Sequence, residues 1–168
     1  HGDIDSQVRT LRDDPDSPEL IHLTDELSDS EIAALYRACD VLVLPYRGEG
    51  FGMPITEAMA CELPVIVTNG GPCIEFCDER HGILLPNERL PFSGGSDQPS
   101  VGPSYWLYQP DEDALVEAMQ KLARQPELRT RLGKAGRERV VERLTWKHMA
   151  DQVNERIRAL ANRTPRRL

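Results

Sequence analysis

A chain of 168 residues, 39% hydrophobic and only 5% aromatic, has the length and composition of one ordinary globular domain with a sizeable core. No apolar run approaches the length of a membrane span, and the opening residues do not read as a signal peptide. The net charge of −8 is unevenly held: residues 1–120 carry 6 Lys and Arg against 23 Asp and Glu, residues 121–168 carry 14 against 5. No nucleic-acid-binding module accompanies the basic end, so no nucleic-acid partner is expected; a solvated face is the plainer reading, and contact with an anionic membrane surface the alternative.

Residues 7–13 read as a short amphipathic helix and residues 19–23 as a short strand. Ser28 with Glu31 forms a capping-box pattern. Ile32, Leu35, Tyr36 and Cys39 then follow the i, i+3, i+4, i+7 spacing of a core-facing helix. The apolar run Val41, Leu42, Val43, Leu44 predicts a buried strand, stopped by Pro45. A turn carrying Gly48, Gly50 and Gly52 leads into a helix predicted over 54–61, with Pro54 at its first position and Glu57 in its first turn. A strand over 64–67, a short helix over 73–77 and a last strand over 82–85 complete the pattern. Four strands alternating with helices at these lengths imply an α/β fold with a Rossmann-like parallel sheet.

From residue 86 to 110 the periodicity stops, and Pro91, Pro99, Pro103, Pro110 and the pair Gly94 and Gly95 predict a long turn-rich loop, functional or mobile at that length. Tyr105, Trp106 and Tyr108 at its end read as a latch pinning the loop to the sheet, or else as a surface that stacks on a sugar or base or covers an acceptor cleft. Helices over 111–124 and 126–144 come next, then a third, N-capped by Thr145, with an apolar stripe of Trp146, Met149, Val153, Ile157 and Leu160. The expected organisation is a single domain over 1–168: core about 19–86, loop insertion 87–110, terminal helices 111–162.

The chemistry concentrates around Glu49 and Glu57, eight positions apart across the glycine turn. Strand, glycine turn and helix together present backbone N–H groups to an anionic ligand. A carboxylate at Glu57 can accept two hydrogen bonds from a vicinal diol such as a ribose, and Glu49 stands at the mouth of the strand. Such a pair suits a ligand with hydroxyls at both ends and phosphate between; a solvated loop glutamate and a helix-capping one would look the same by spacing. Cys39, Cys61, Cys73 and Cys77 fit reduced thiols of a cytosolic protein, buried rather than metal-binding. The sequon Asn162, Arg163, Thr164 reads as a chance match.

Residues 46–67, YRGEGFGMPITEAMACELPVIV, resemble the donor-binding signature of retaining glycosyltransferases of family 4, which adopt the GT-B fold. The likeness spreads to about residues 25–161, and a subgroup of the family carries an insertion similar to 87–110. It implies that Glu49 is catalytic, orienting the donor sugar and supporting developing positive charge, and that Glu57 holds the nucleotide ribose. Gly50, Phe51 and Gly52 would supply N–H groups to the donor, with Met53, Pro54 and Ile55 shaping the turn over the diphosphate. The implied substrate is a nucleotide-sugar, transferred with retention by a cytoplasmic hexosyltransferase, peripheral at the inner membrane face if its acceptor is membrane-bound; no metal and no cofactor is implied. The family's Arg and Lys for the diphosphate lie after a G-R-x-x-x-K-G-type strand end, and neither Arg9 nor Arg12 sits in such a motif. With no acceptor-binding N-terminal domain in view either, the chain is expected to be the C-terminal half of a GT-B enzyme lacking its first strands, inactive alone. Glu62 departs from the pattern, standing where the family carries glycine. The competing readings are a non-catalytic interaction module, or a GT-B epimerase or phosphorylase, whose relatives lack the turn-and-helix signature.

Overall fold

The computed structural model describes residues 4–91 and 106–161. The chain divides into two compact units, residues 1–31 and residues 32–168. In the first unit, helix α1 (Ile4–Asp13) starts three residues before the prediction. Residues 19–23 form no strand: Ile21 and Leu23 are exposed, and the Leu20 carbonyl accepts from the Arg12 guanidinium at 3.1 Å. The Ser28 box closes as read, with the Ser28 N–H and hydroxyl donating to Glu31 Oε2 at 2.8 and 2.6 Å. It starts helix α2 (Asp29–Ala38).

The second unit is built on a parallel sheet of three strands rather than four, β1 (Leu42–Leu44), β2 (Val65–Thr68) and β3 (Gly82–Leu85), in the order β1-β2-β3. Leu42 pairs with Val65 and Val65 with Gly82. All four β2 residues are buried, as a central strand covered on both faces requires. Val65 and Val67 pack with Ile55, Ala58 and Met59 of α3 (Met53–Ala60), while Ile66 packs with Leu85 and with Ala118, Leu122 and Leu132. Those last three come from α4 (Glu112–Arg124) and α5 (Pro126–Arg143), so helices flank the sheet on both sides as predicted. The Asp111 carboxylate caps α4 through the Ala114 N–H at 2.9 Å.

The sharpest correction concerns the predicted loop. Its ends form an antiparallel hairpin of β4 (Asn87–Pro91) and β5 (Trp106–Pro110), so the strand at 82–85 is not the last. Prolines argued against strands, but Pro91 and Pro110 close the two ends of this ribbon, where a missing N–H is tolerated. The segment 73–77 is likewise a 3-10 turn, Gly71–Glu75, opened by Gly71 and Pro72. Tyr105, the glycine pair, Pro99, Pro103, the sequon and the Arg166 and Arg167 tail lie outside the described residues.

Glu62 keeps the backbone its family position demands. It has φ 61°, alone in positive φ among described non-glycine residues. The Leu63 N–H bonds the Ala58 carbonyl and the Glu62 N–H the Met59 carbonyl, each at 3.0 Å, a Schellman closure of α3 with glutamate in the glycine place. Arg137 of α5 supports it, donating to the Ala60 carbonyl and lying 3.5 Å from the Glu62 carboxylate. The last described helix is α6 (Trp146–Ala161), with Trp146, Met149, Val153, Ile157 and Leu160 all exposed.

Candidate functional site

Strand β1 ends in a knot of hydrogen bonds that holds the base of the glycine turn. Tyr46 is buried; its hydroxyl donates to the Gly70 carbonyl at 2.5 Å, and the Thr68 hydroxyl donates back to the Tyr46 carbonyl at 2.6 Å. Burial pushes the Tyr46 phenol well above its ordinary range, so it stays a donor. The carboxyl ends of β1 and β2 are thereby tied at the edge where open α/β sheets bind ligands.

The glycine turn springs from this knot. One oxygen of Glu49, Oε1, accepts from three consecutive N–H groups: Gly50 at 2.8 Å, Phe51 at 3.2 Å and Gly52 at 3.0 Å. The amides read as ligand donors thus converge on a single point, where the Glu49 carboxylate now sits. Gly52 has φ 94°, and a Cβ there would meet Ile55 Cδ1 at 2.9 Å, so both conformation and space call for glycine. Phe51 packs its ring 5.6 Å from that of Phe76. Met53 is half exposed beside the turn, whereas Ile55 is fully buried and supports the turn from within.

Glu57 lies deeper in the helix than the sequence suggested. Gly52 is the N-cap and Met53 the first helical residue, so Pro54 is second and Glu57 fifth, beyond the first turn. About 6 Å of helix rise separates it from Met53. The dipole argument for Glu57 therefore loses its force, and a different partner replaces it: the Tyr36 hydroxyl donates to Glu57 Oε2 at 3.2 Å. Burial first, then the Glu57 charge, push the Tyr36 phenol up to about 12. Sequence periodicity placed Tyr36 only as a core-facing residue. Its hydroxyl, a polar tip on that apolar helical face, was the signal available.

The hairpin lies against the same edge. The Tyr108 N–H donates to the Arg47 carbonyl at 2.8 Å, and its ring sits so close over Gly70 that a Cβ there would lie 2.8 Å from Cζ. The latch reading thus holds for Tyr108. Trp106 remains about half exposed, with the Arg89 guanidinium 5.0 Å from its ring centre. On the outer side of α3, Glu57 borders a groove of ≈ 510 Å³ with Phe51, Met53, Val140, Trp146 and Met149. Cys73 and Cys77 are buried, Cys61 half-buried and Cys39 exposed. Among the described residues no group of three or more His, Cys, Asp or Glu side chains is placed to hold a metal ion, and no helix is long and apolar enough to cross a membrane.

With this geometry in view, the comparison that decides the family is the match of residues 2–91 to the model of the glycosyl transferases group 1. The chain belongs to that family. The resemblance read from residues 46–67, to the C-terminal domain of a GT-B family 4 transferase, is borne out. Among relatives of this chain, an MMP alpha-(1->4)-mannosyltransferase of Mycolicibacterium hassiacum is 32% identical over 80% of the chain and 28% of the relative. A D-inositol 3-phosphate glycosyltransferase of Saccharomonospora viridis is 28% identical over 72% of the chain and 23% of the relative. The chain therefore spans about a quarter of the length of these relatives. Among solved structures, sucrose-phosphate synthase from Thermosynechococcus elongatus superposes with a TM-score of 0.67 at 28% identity, covering 94% of the chain and 33% of that protein. The C-terminal domain of a glycosyl transferase group 1 family protein from Francisella tularensis shares the fold at 24% identity, with a TM-score of 0.55 over 85% of the chain and 61% of that structure.

Proposed function

We propose that this domain binds the nucleotide-sugar donor of a retaining glycosyltransferase, in a protein whose acceptor is bound by a second domain. The observation that carries the reading is the convergence of three N–H groups on one oxygen. A cradle of that kind suits a hydroxyl or phosphate oxygen of an activated sugar. Glu57, fixed on the following helix, takes the ribose diol. Glu49, released from the amides, orients the sugar and faces the anomeric carbon as positive charge develops there. The bond from that carbon to the diphosphate oxygen breaks, the acceptor oxygen bonds to the same face, and the acceptor proton passes to the departing diphosphate. Electrostatic stabilisation of the leaving group carries this chemistry, and the reading calls for no metal or cofactor. The name of one relative, a mannosyltransferase, favours a hexose donor.

Calorimetric titration of the chain with uridine, guanosine and adenosine diphosphates tests the reading. One of them should bind, and Glu57→Ala should weaken it by roughly 10- to 100-fold, as losing charge-assisted bonds to a diol implies. In the full-length enzyme Glu49→Ala should lower kcat more than donor affinity. Wild-type kinetics in both variants would refute the assignment.

A further inference from the structure

We propose that Tyr36 is a positioning residue that holds the Glu57 carboxylate ready for a vicinal diol; the inference rests on the ribose-binding role given to Glu57 above. Glu57 is exposed on α3, and a glutamate there loses several freely rotating bonds when a ligand fixes it. Tyr36 supplies a fixed point, because its ring packs against the cluster of Ile55, Ala58 and Met59 from the adjoining helix α2. From that anchored ring the hydroxyl reaches Glu57 Oε2 at 3.2 Å. The phenol is held as a donor throughout the physiological range, its titration pushed up to about 12 by burial and by the carboxylate itself. A carboxylate offers about four acceptor positions. One bond from Tyr36 therefore leaves Oε1 entirely, and half of Oε2, for the two hydroxyls of a ribose. The ordering cost is met in the free protein, which is how preorganisation raises affinity.

The test compares the tightest binder among uridine, guanosine and adenosine diphosphates with its 2′,3′-dideoxy form, on the 168-residue chain. Tyr36→Phe keeps the ring and its packing, and thermal unfolding of the variant checks that it does. It should weaken the ribose form by roughly three- to tenfold, one hydrogen bond's worth, and leave the dideoxy form unchanged. The Tyr36→Phe, Glu57→Ala double variant should bind no more weakly than Glu57→Ala alone, because the hydroxyl acts only through that side chain. Equal losses for both nucleotides, or no loss for either, overturn the positioning role. A Glu57→Ala variant that abolishes the ribose preference while Tyr36→Phe retains it in full overturns the role of Tyr36 alone. A wild-type chain that binds none of the nucleotides, or binds both forms equally, removes the ribose assignment of Glu57 and this inference with it.

Discussion

Helix α5 crosses the end of α3 at a point where one atom decides the fit. A Cβ built on Gly133 would overlap the Glu62 carbonyl oxygen and stand 2.8 Å from the carbonyl carbon. Both obstacles are main chain, and Glu62 is held by the Schellman bonds from Leu63 and its own N–H. Carbon atoms rest at about 3.5–4.0 Å, so the carbonyl carbon alone requires Gly133→Ala to push α5 away from α3 by at least about 0.7–1.2 Å, and the overlapping oxygen requires more. Overpacking of this kind costs about 1–3 kcal/mol and more where backbone is struck, against about 1 kcal/mol returned by the better helix propensity of alanine. With the cost at its upper end, because rigid backbone is struck, a net loss of about 2 kcal/mol is expected, or about 4–8 °C in Tm for a chain of this size. Gly136→Ala is the control, since its Cβ would meet nothing nearer than the Met59 side chain at 3.3 Å, with the His81 carbonyl oxygen at an ordinary 3.7 Å. It should stay within about 1 kcal/mol of wild type. Denaturant unfolding of the three proteins, compared at equal m-values, measures both. If Gly133→Ala proves as stable as Gly136→Ala, the closure of α3 against α5 is looser than these distances require.

Gly70→Ala should expel the Tyr108 ring from the sheet edge, raising proteolysis of the hairpin while leaving the core stable; unchanged protection would show that Tyr108 is no latch. Acid should destabilise the protein in two windows. His81 is held below its ordinary 6.5, burial outweighing the Asp78 carboxylate 2.9 Å away, so the folded state binds protons less readily than the unfolded chain and stability falls as pH drops below about 6.5. Asp78, lowered from 3.8 to about 2 chiefly by Arg80, adds a smaller loss as pH falls from 3.8 towards 2, smaller because the pair is exposed. Tm measured from pH 8 to 5 should decline in wild type and flatten in His81→Gln; a rise towards acid would mean that folding favours the charged imidazole after all. Finally, an alkylating reagent near pH 8 should modify exposed Cys39 in the native protein and spare Cys77, whose thiol burial pushes up to about 12. Fast labelling of Cys77 without unfolding would show that its site is open.

Elements with a clear period were legible in the sequence. The Ser28 box, the Val65–Thr68 strand and the stripe on α6 needed only spacing and burial to place them. Ribbon β4–β5 was not legible, because its pairing joins residues such as Arg89 and Tyr108 across an intervening segment that pattern alone reads as turns. Residues 19–23 failed for the opposite reason: a short, mostly apolar stretch promised a strand, and Ile21 and Leu23 remain exposed. At the site, the glycine turn and the two glutamates were visible in the motif. The Tyr36 contact depends on two helices meeting, and the Glu49 contact on which way one side chain folds back; neither leaves a trace in residue spacing.

That folded-back side chain alters how occupancy of the turn is won. Without it, three like-oriented N–H dipoles would crowd one spot and repel, and the bend would wander between visits of a ligand. With Glu49 lodged there, the bend keeps its shape while vacant, and an arriving oxygen inherits bonds instead of creating them. The newcomer is therefore rewarded only by the margin over the resident carboxylate, which favours quick exchange over long residence.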